Sequence, residues 1–91
     1  MKNVKRHMRE IVLKVLTINT KNLGNDEERI EDEIVGITSG VPVRTIAMCV
    51  EDKCVVAITG KDEDYVDSAT RSLFEAYGCG NVRVEYGSKY E

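Results

Sequence analysis

Residues 43–60 read VRTIAMCVEDKCVVAITG, and the rest of the architecture can be worked out from this segment. Two runs rich in β-branched residues lie on either side of a short charged cluster, Glu51-Asp52-Lys53, and a glycine follows the second run. Strand-forming runs that are separated by a few turn residues are typical of a β-hairpin. We therefore predict two antiparallel strands at the centre of the fold.

The alternation of side chains along these strands predicts which residues share a face of the sheet. A three-residue loop, Glu51 to Lys53, would place Val50 opposite Cys54. Cys49 and Cys54 would then lie on opposite faces and could not form a disulfide. The core face would consist of Ile46, Met48, Val50, Cys54, Val56 and Ile58. The other face would be small and uncharged, and it is a candidate interface: Thr45, Ala47, Cys49, Val55, Ala57 and Thr59.

Residues 10–18 are also predicted to form a strand, because they are strongly apolar and rich in β-branched residues. A helix competes with this strand. Its apolar stripe has helical spacing and consists of Val4, Met8, Ile11, Val12 and Val15. A short helical turn followed by the strand would satisfy both patterns.

Two amphipathic helices flank the hairpin. The first is capped by Asn25 or Asp26 and ends near Gly40. Its apolar face consists of Ile30, Ile34, Ile37 and Val41. The second spans residues 62–77, with Gly78 and Gly80 after its last turn. A last strand follows over residues 81–86, with Val82, Val84 and Tyr86 directed inward.

This order of elements predicts an α+β fold, the ferredoxin-like βαββαβ sandwich, with two helices on one face of a four-stranded antiparallel sheet. If the first segment is helical, the alternative is an αββαβ module with an N-terminal helix. The predicted organisation is a basic N-terminal arm at residues 1–9, a single α+β domain at residues 10–87 and a tail at residues 88–91.

Charge is unevenly distributed along the chain. The net charge is −3, yet residues 1–10 carry +3, so the remaining residues carry −6. The basic arm offers a contact for an anion such as nucleic acid phosphate through Lys2, Lys5, Arg6 and Arg9. The acidic remainder argues against a dedicated nucleic-acid-binding protein. No apolar run is long enough to span a bilayer, so we expect no membrane contact and a cytoplasmic location.

We identify no catalytic, cofactor-binding or metal-binding residues. The chain contains one histidine, His7, so a catalytic site with a Ser-His or Cys-His pair is not favoured. The cysteines Cys49, Cys54 and Cys79 lack the spacing of a disulfide framework or a zinc site. An enzyme is therefore the least favoured class, and no cofactor is predicted. Three known families of this fold are disfavoured. The central strands lack the aromatic residues with which RNA-recognition motifs stack bases. The chain also lacks the Cys-x-x-Cys of metal-chaperone domains and the Arg and Gly-rich loop that acylphosphatases carry after the first strand.

Residues 29–86 resemble the small αββαβ domains of sporulation proteins of the YhcN/YlaJ type and the ring-building modules of secretion-like complexes. The similar segments begin at Arg29-Ile30-Glu31, Ser39-Gly40-Val41, Val55-Val56-Ala57 and Asn81-Val82-Arg83. The resemblance implies a scaffold or assembly module without catalysis.

The favoured hypothesis is a non-enzymatic protein-interaction or assembly module that forms a homo-oligomer through its sheet face. The alternative is a small-ligand-binding regulatory domain, with its site at the first strand–helix loop or at a dimer edge. Nucleic-acid binding through the basic arm is a further alternative. The residues do not identify the ligand or the partner.

Overall fold

The computed structural model describes residues 11–24 and 26–89 and contains seven elements in the order β, 3₁₀, α, β, β, α, β. The strands are β1 (Val12–Asn19), β2 (Arg44–Val50), β3 (Lys53–Gly60) and β4 (Val82–Lys89), and the helices are α1 (Glu27–Thr38) and α2 (Glu63–Tyr77). A short 3₁₀ turn, Lys21–Leu23, follows β1. The predicted α+β class, with a four-stranded antiparallel sheet and two helices, is confirmed.

The sheet has the strand order β2-β3-β1-β4, and all three pairings are antiparallel. Strand β1 is central, which explains why residues 10–18 are more apolar than a surface strand requires. A helix that includes Val12 and Val15 is therefore wrong, because these residues pair with β3 and β4. Ile11 of that stripe is not helical and is 41% exposed, whereas Val4, Met8 and the basic arm at residues 1–9 fall outside the described residues.

Both helices begin where the sequence predicts, and α2 also ends there, whereas α1 ends at Thr38, so Val41, which the sequence places on its apolar face, lies beyond the helix. The Asp26 carboxylate accepts a hydrogen bond from the Arg29 amide at 3.1 Å and caps α1, and Asp62 caps α2 in the same way through the Asp64 amide. Helix α2 ends at Gly78, whose φ of +90° favours glycine. The buried helical side chains include Ile30 and Ile34 of α1 and Val66, Ala69 and Leu73 of α2.

The core lies between the two helices and one face of the sheet. Strand β1 contributes Val12, Leu16 and Ile18 to this core, and β3 contributes Cys54, Val56 and Ile58. Leu16, Ile18 and all three β3 residues are fully buried. Both described helices pack on this face, and no helix within residues 11–24 and 26–89 packs on the other face of the sheet, which we call the open face.

The register of the hairpin differs from the prediction by one residue. Its loop has two residues, Glu51 and Asp52, so Val50 pairs with Lys53 and Cys49 pairs with Cys54. Glu51 has a φ of +56°, a conformation that tight two-residue hairpin turns use. A shift of one residue turns every side chain of a strand to the other face.

The two faces of β2 are therefore exchanged relative to the prediction. Thr45, Ala47 and Cys49 face the helices, whereas Ile46 and Met48 are each 62% exposed. Helix α1 packs directly on β2, and small side chains allow this close approach. The hydroxyl groups of Thr38 in α1 and Thr45 in β2 are hydrogen bonded at 2.7 Å, which fixes this contact.

Strand β4 also differs from its prediction. Its register with β1 shifts between Val15 and Leu16, so that Glu85 is an extra residue, as in a β-bulge. Tyr86 pairs with Val15 and shares its face, so the prediction that Tyr86 is directed inward is wrong. The strand continues to Lys89 because residues after the bulge pair with the beginning of β1.

Candidate functional site

The open face of the sheet carries a row of apolar side chains that crosses all four strands. The register places Ile46 of β2 beside Ala57 of β3, Ala57 beside Val15 of β1, and Val15 beside Tyr86 of β4. Ile46 is 62% exposed and Tyr86 is 51% exposed. Opposite residues in antiparallel strands have Cβ atoms about 5 Å apart, so these four side chains form one continuous surface.

A second row lies next to the first and joins Met48, Val55, Thr17 and Arg83 in the same strand order. Met48 is 62% exposed and Val55 is 40% exposed. We call these two rows together the open apolar face. Large apolar side chains that are grouped and exposed in this way are typical of an interaction surface, whereas scattered ones are not.

Charged groups lie at the two ends of this face. Arg44 lies at one end, in the row that continues through Thr59 to Leu13. At the other end, Arg83 Nε and Glu85 Oε2 form an ion pair at 3.1 Å. Hydrogen bonds from Arg83 and Thr17 lower the pKa of the Glu85 carboxyl.

The structure divides the predicted interface between the two faces of the sheet. Val55, Ala57 and Thr59 lie on the open face, as predicted. Thr45, Ala47 and Cys49 lie on the helix-facing side, so their assignment to the same surface is wrong. The one-residue difference in the hairpin register is the cause. The residues that sequence reasoning missed on the open face are Val15, Ile46, Met48, Val50 and Tyr86.

No sequence signal distinguishes these residues, because the residue types around Glu51 permit a loop of two or of three residues. Tyr86 lies there because of the bulge at Glu85, and Ile46, Met48 and Val50 lie there because of the two-residue turn at Glu51-Asp52. This turn places the larger β2 side chains outside and the smaller ones under α1. The sequence analysis favoured the opposite face because it assumed a three-residue loop, Glu51 to Lys53, which places Val50 opposite Cys54.

A cavity of about 600 Å³ lies where the open face meets the hairpin turn. Its lining includes Thr17 and Asn19 of β1, the turn from Val50 to Lys53, residues 79–83 and Glu85. Both signs of charge are present: Lys53 and Arg83 are cationic, and Glu51, Asp52 and Glu85 are anionic. Cys79 is exposed in this cavity.

The other predicted contacts are not brought into a site. Lys2, Lys5, Arg6 and Arg9 lie outside the described residues, so the anion contact stays a prediction. Within residues 11–24 and 26–89, no three His, Cys, Asp or Glu side chains are grouped as a metal ion would require. In the same part of the chain, no helix is long and apolar enough to cross a membrane.

Comparisons with protein-family models, with curated proteins and with solved structures give no match to this chain. The function is therefore argued from the geometry of the open apolar face and of the cavity beside it.

Proposed function

We propose that this chain is a non-enzymatic assembly module that associates with a second copy of itself through the open apolar face. The observation that carries the proposal is the row Ile46, Ala57, Val15 and Tyr86, which crosses the whole sheet without a charged side chain. Removing such side chains from water favours an association by a gross amount of about 25 cal/mol per Å² of apolar surface, part of which offsets the entropy lost when two copies associate. The resemblance of residues 29–86 to assembly modules implies the same class of role.

We also assign the domain to the ferredoxin-like arrangement. Its support is the βαββαβ order of elements together with a sheet in which β1 and β3 are the inner strands. With both helices on one side, the opposite side of the sheet is available to a partner. Sheets pack face to face at a separation of about 10 Å, which suits side chains of the size of Ile46 and Met48.

A second copy is the partner that best fits the charges at the ends of this face. Arg44 lies at one end, and at the other end the three carboxylates of Glu51, Asp52 and Glu85 outnumber the two cations, Lys53 and Arg83, which leaves that end net negative. A two-fold axis perpendicular to the strands brings the Arg44 end of one copy over the Glu51 end of the other. The apolar rows then meet at the centre, as in an isologous interface.

The experiment compares Ala57→Lys with Ala76→Lys, since both replace alanine by lysine. Ala57 lies at the centre of the open apolar face, whereas Ala76 is exposed on α2. An unpaired charge buried between two sheets costs several kcal/mol, so we expect Ala57→Lys to be a folded monomer. Ala76→Lys should keep the wild-type mass in analytical ultracentrifugation at every concentration. A monomeric wild-type chain, or an Ala57→Lys variant of unchanged mass, would contradict self-association.

A small-ligand-binding domain is the second candidate function, and the cavity beside the hairpin turn favours it. The cavity presents cations and carboxylates within one volume of about 600 Å³, which suits a small zwitterion such as an amino acid. Titration of amino acids against the ¹⁵N-labelled chain tests this candidate. Binding should shift the amide resonances of Lys53, Asn81 and Arg83 and leave those of the α1 residues unchanged.

A further inference from the structure

Cys49 and Cys54 are directly opposite each other in the β2–β3 hairpin, with both side chains on the helix-facing side of the sheet. The Cys49 amide donates to Glu31 Oε2 at 2.8 Å. It therefore points away from β3, toward the free edge of the sheet, and the two cysteines form a non-hydrogen-bonded pair. Opposite Cα atoms in such pairs are about 4.5 Å apart. Disulfides span Cα separations of about 4.4–6.8 Å, so this pair can be bridged with little backbone movement.

The surroundings of the two thiols make them unequal. Cys54 is 0% exposed and Cys49 is 7% exposed at the edge of the sheet. Interaction between the two thiols lowers the pKa of Cys49 and raises that of Cys54. Burial nevertheless raises the pKa of both thiols, and Glu31 and Glu27 of α1 add to this effect at Cys49. Cys49 is thus the sulfur that an oxidant reaches first.

We propose that Cys49 and Cys54 are a redox-active dithiol that a hydroperoxide converts to an intramolecular disulfide. The Cys49 thiol loses its proton and the thiolate attacks a peroxide oxygen, so that an S–O bond forms and the O–O bond breaks. The leaving hydroxide or alkoxide takes up that proton and departs as water or alcohol. The Cys54 thiolate then attacks the Cys49 sulfur, the S–S bond forms, and the S–O bond breaks with loss of hydroxide, which takes up a proton to become water. Two thiols lose two electrons in total, and one peroxide is reduced.

A small thiol reductant reverses the step by two thiol–disulfide exchanges. The site is independent of the proposed association, because the thiols and the open apolar face lie on opposite sides of the sheet.

The test uses the full chain with Cys79→Ser, so that only the paired thiols remain. The folded protein is treated with hydrogen peroxide, denatured and alkylated, and its mass is measured. We expect a monomeric chain that has lost two hydrogen atoms and takes up no alkyl groups, with both groups taken up again after treatment with dithiothreitol. Full alkylation after peroxide treatment, a disulfide between two chains, or added oxygen without a cross-link would overturn the proposal.

A second measurement distinguishes Cys49, which attacks the peroxide, from Cys54, which then attacks the Cys49 sulfur. In the Cys79→Ser background, Cys54→Ala should let a sulfenic acid accumulate on Cys49, where dimedone labels it. Cys49→Ala should leave Cys54 at least about tenfold less reactive toward dimedone after peroxide treatment, because it is fully buried. Circular dichroism shows that each variant is folded, and Cys54→Ser replaces Cys54→Ala if that variant does not fold. Equal labelling of the two variants, or none in either, would contradict the assigned order of attack.

Discussion

Tyr77 shows how one side chain links distant parts of this small domain. Its hydroxyl donates a hydrogen bond to Glu33 Oε1 at 2.5 Å and so joins the last turn of α2 to α1. Burial and this bond to a carboxylate both raise the pKa of Tyr77, because each disfavours the charged phenolate. The folded state therefore holds this proton more tightly than the unfolded chain does.

The residue-scale prediction concerns Tyr77→Phe at alkaline pH. Loss of the hydrogen bond should lower the free energy of unfolding by about 1 kcal/mol at neutral pH. Since the folded pKa lies above the unfolded value of 10.0, this contribution is complete below about pH 10 and is lost as the pH rises further. Urea unfolding of both proteins from pH 7 to pH 11 measures the difference.

Tyr65→Phe is the matched control, because Tyr65 is on the same helix and is 43% exposed. It should stay within about 0.5 kcal/mol of the wild type at neutral pH, as ordinary surface substitutions do. A Tyr77→Phe difference that stays constant up to pH 11 would contradict the role assigned to the Tyr77–Glu33 bond. Cys49 and Cys54 also lose their contribution to stability over a similar pH range. Because both proteins contain these thiols, the difference between Tyr77→Phe and the wild type cancels most of this contribution.

At the scale of elements, the hairpin register decides what each face of β2 does. Ala47 faces α1 and packs against the core, whereas its neighbour Met48 is 62% exposed. We expect Ala47→Lys to lower the free energy of unfolding by several kcal/mol, because it buries an unpaired charge under a helix. Met48→Lys should leave the stability of the monomer within about 0.5 kcal/mol.

Chemical denaturation at concentrations where the chain is monomeric measures both variants. The three-residue loop that the sequence predicts would give the opposite ranking, with Met48→Lys the damaging change. The pair of substitutions therefore tests the register itself, independently of any partner.

At the scale of the whole molecule, the described residues form one continuous core. Its buried apolar side chains run from Val12 at the beginning of β1 to Val82 at the beginning of β4. We expect deletion of residues 1–8 to keep cooperative thermal unfolding, with a midpoint within a few degrees of the wild type. Loss of cooperativity would show that the deleted residues contribute to the core, as the competing helix over residues 4–15 requires.

Much of this architecture can be predicted from the sequence, because it depends on local patterns. Spacings of three and four residues from Ile30 onward, with Asp26 before them, predict α1 and its cap. For α2, Asp62 and Gly78 mark the predicted beginning and end in the same way, and apolar residues at helical spacing lie between them. Two strand-forming runs around Glu51-Asp52-Lys53 predict the hairpin, and together these elements give the α+β class and the element order.

Only the tertiary structure decided which face of β2 is buried and where the open apolar face lies. The residue types around Glu51 are equally compatible with a loop of two residues and with a loop of three. The choice depends on α1, which packs on β2 and requires small side chains beneath it, here Thr45, Ala47 and Cys49. Likewise, the bulge at Glu85 turns Tyr86 outward through pairing with β1, a partner about 70 residues away in the chain. The sequence by itself determined the elements, since their patterns are local, whereas the faces depend on contacts between elements that are distant along the chain.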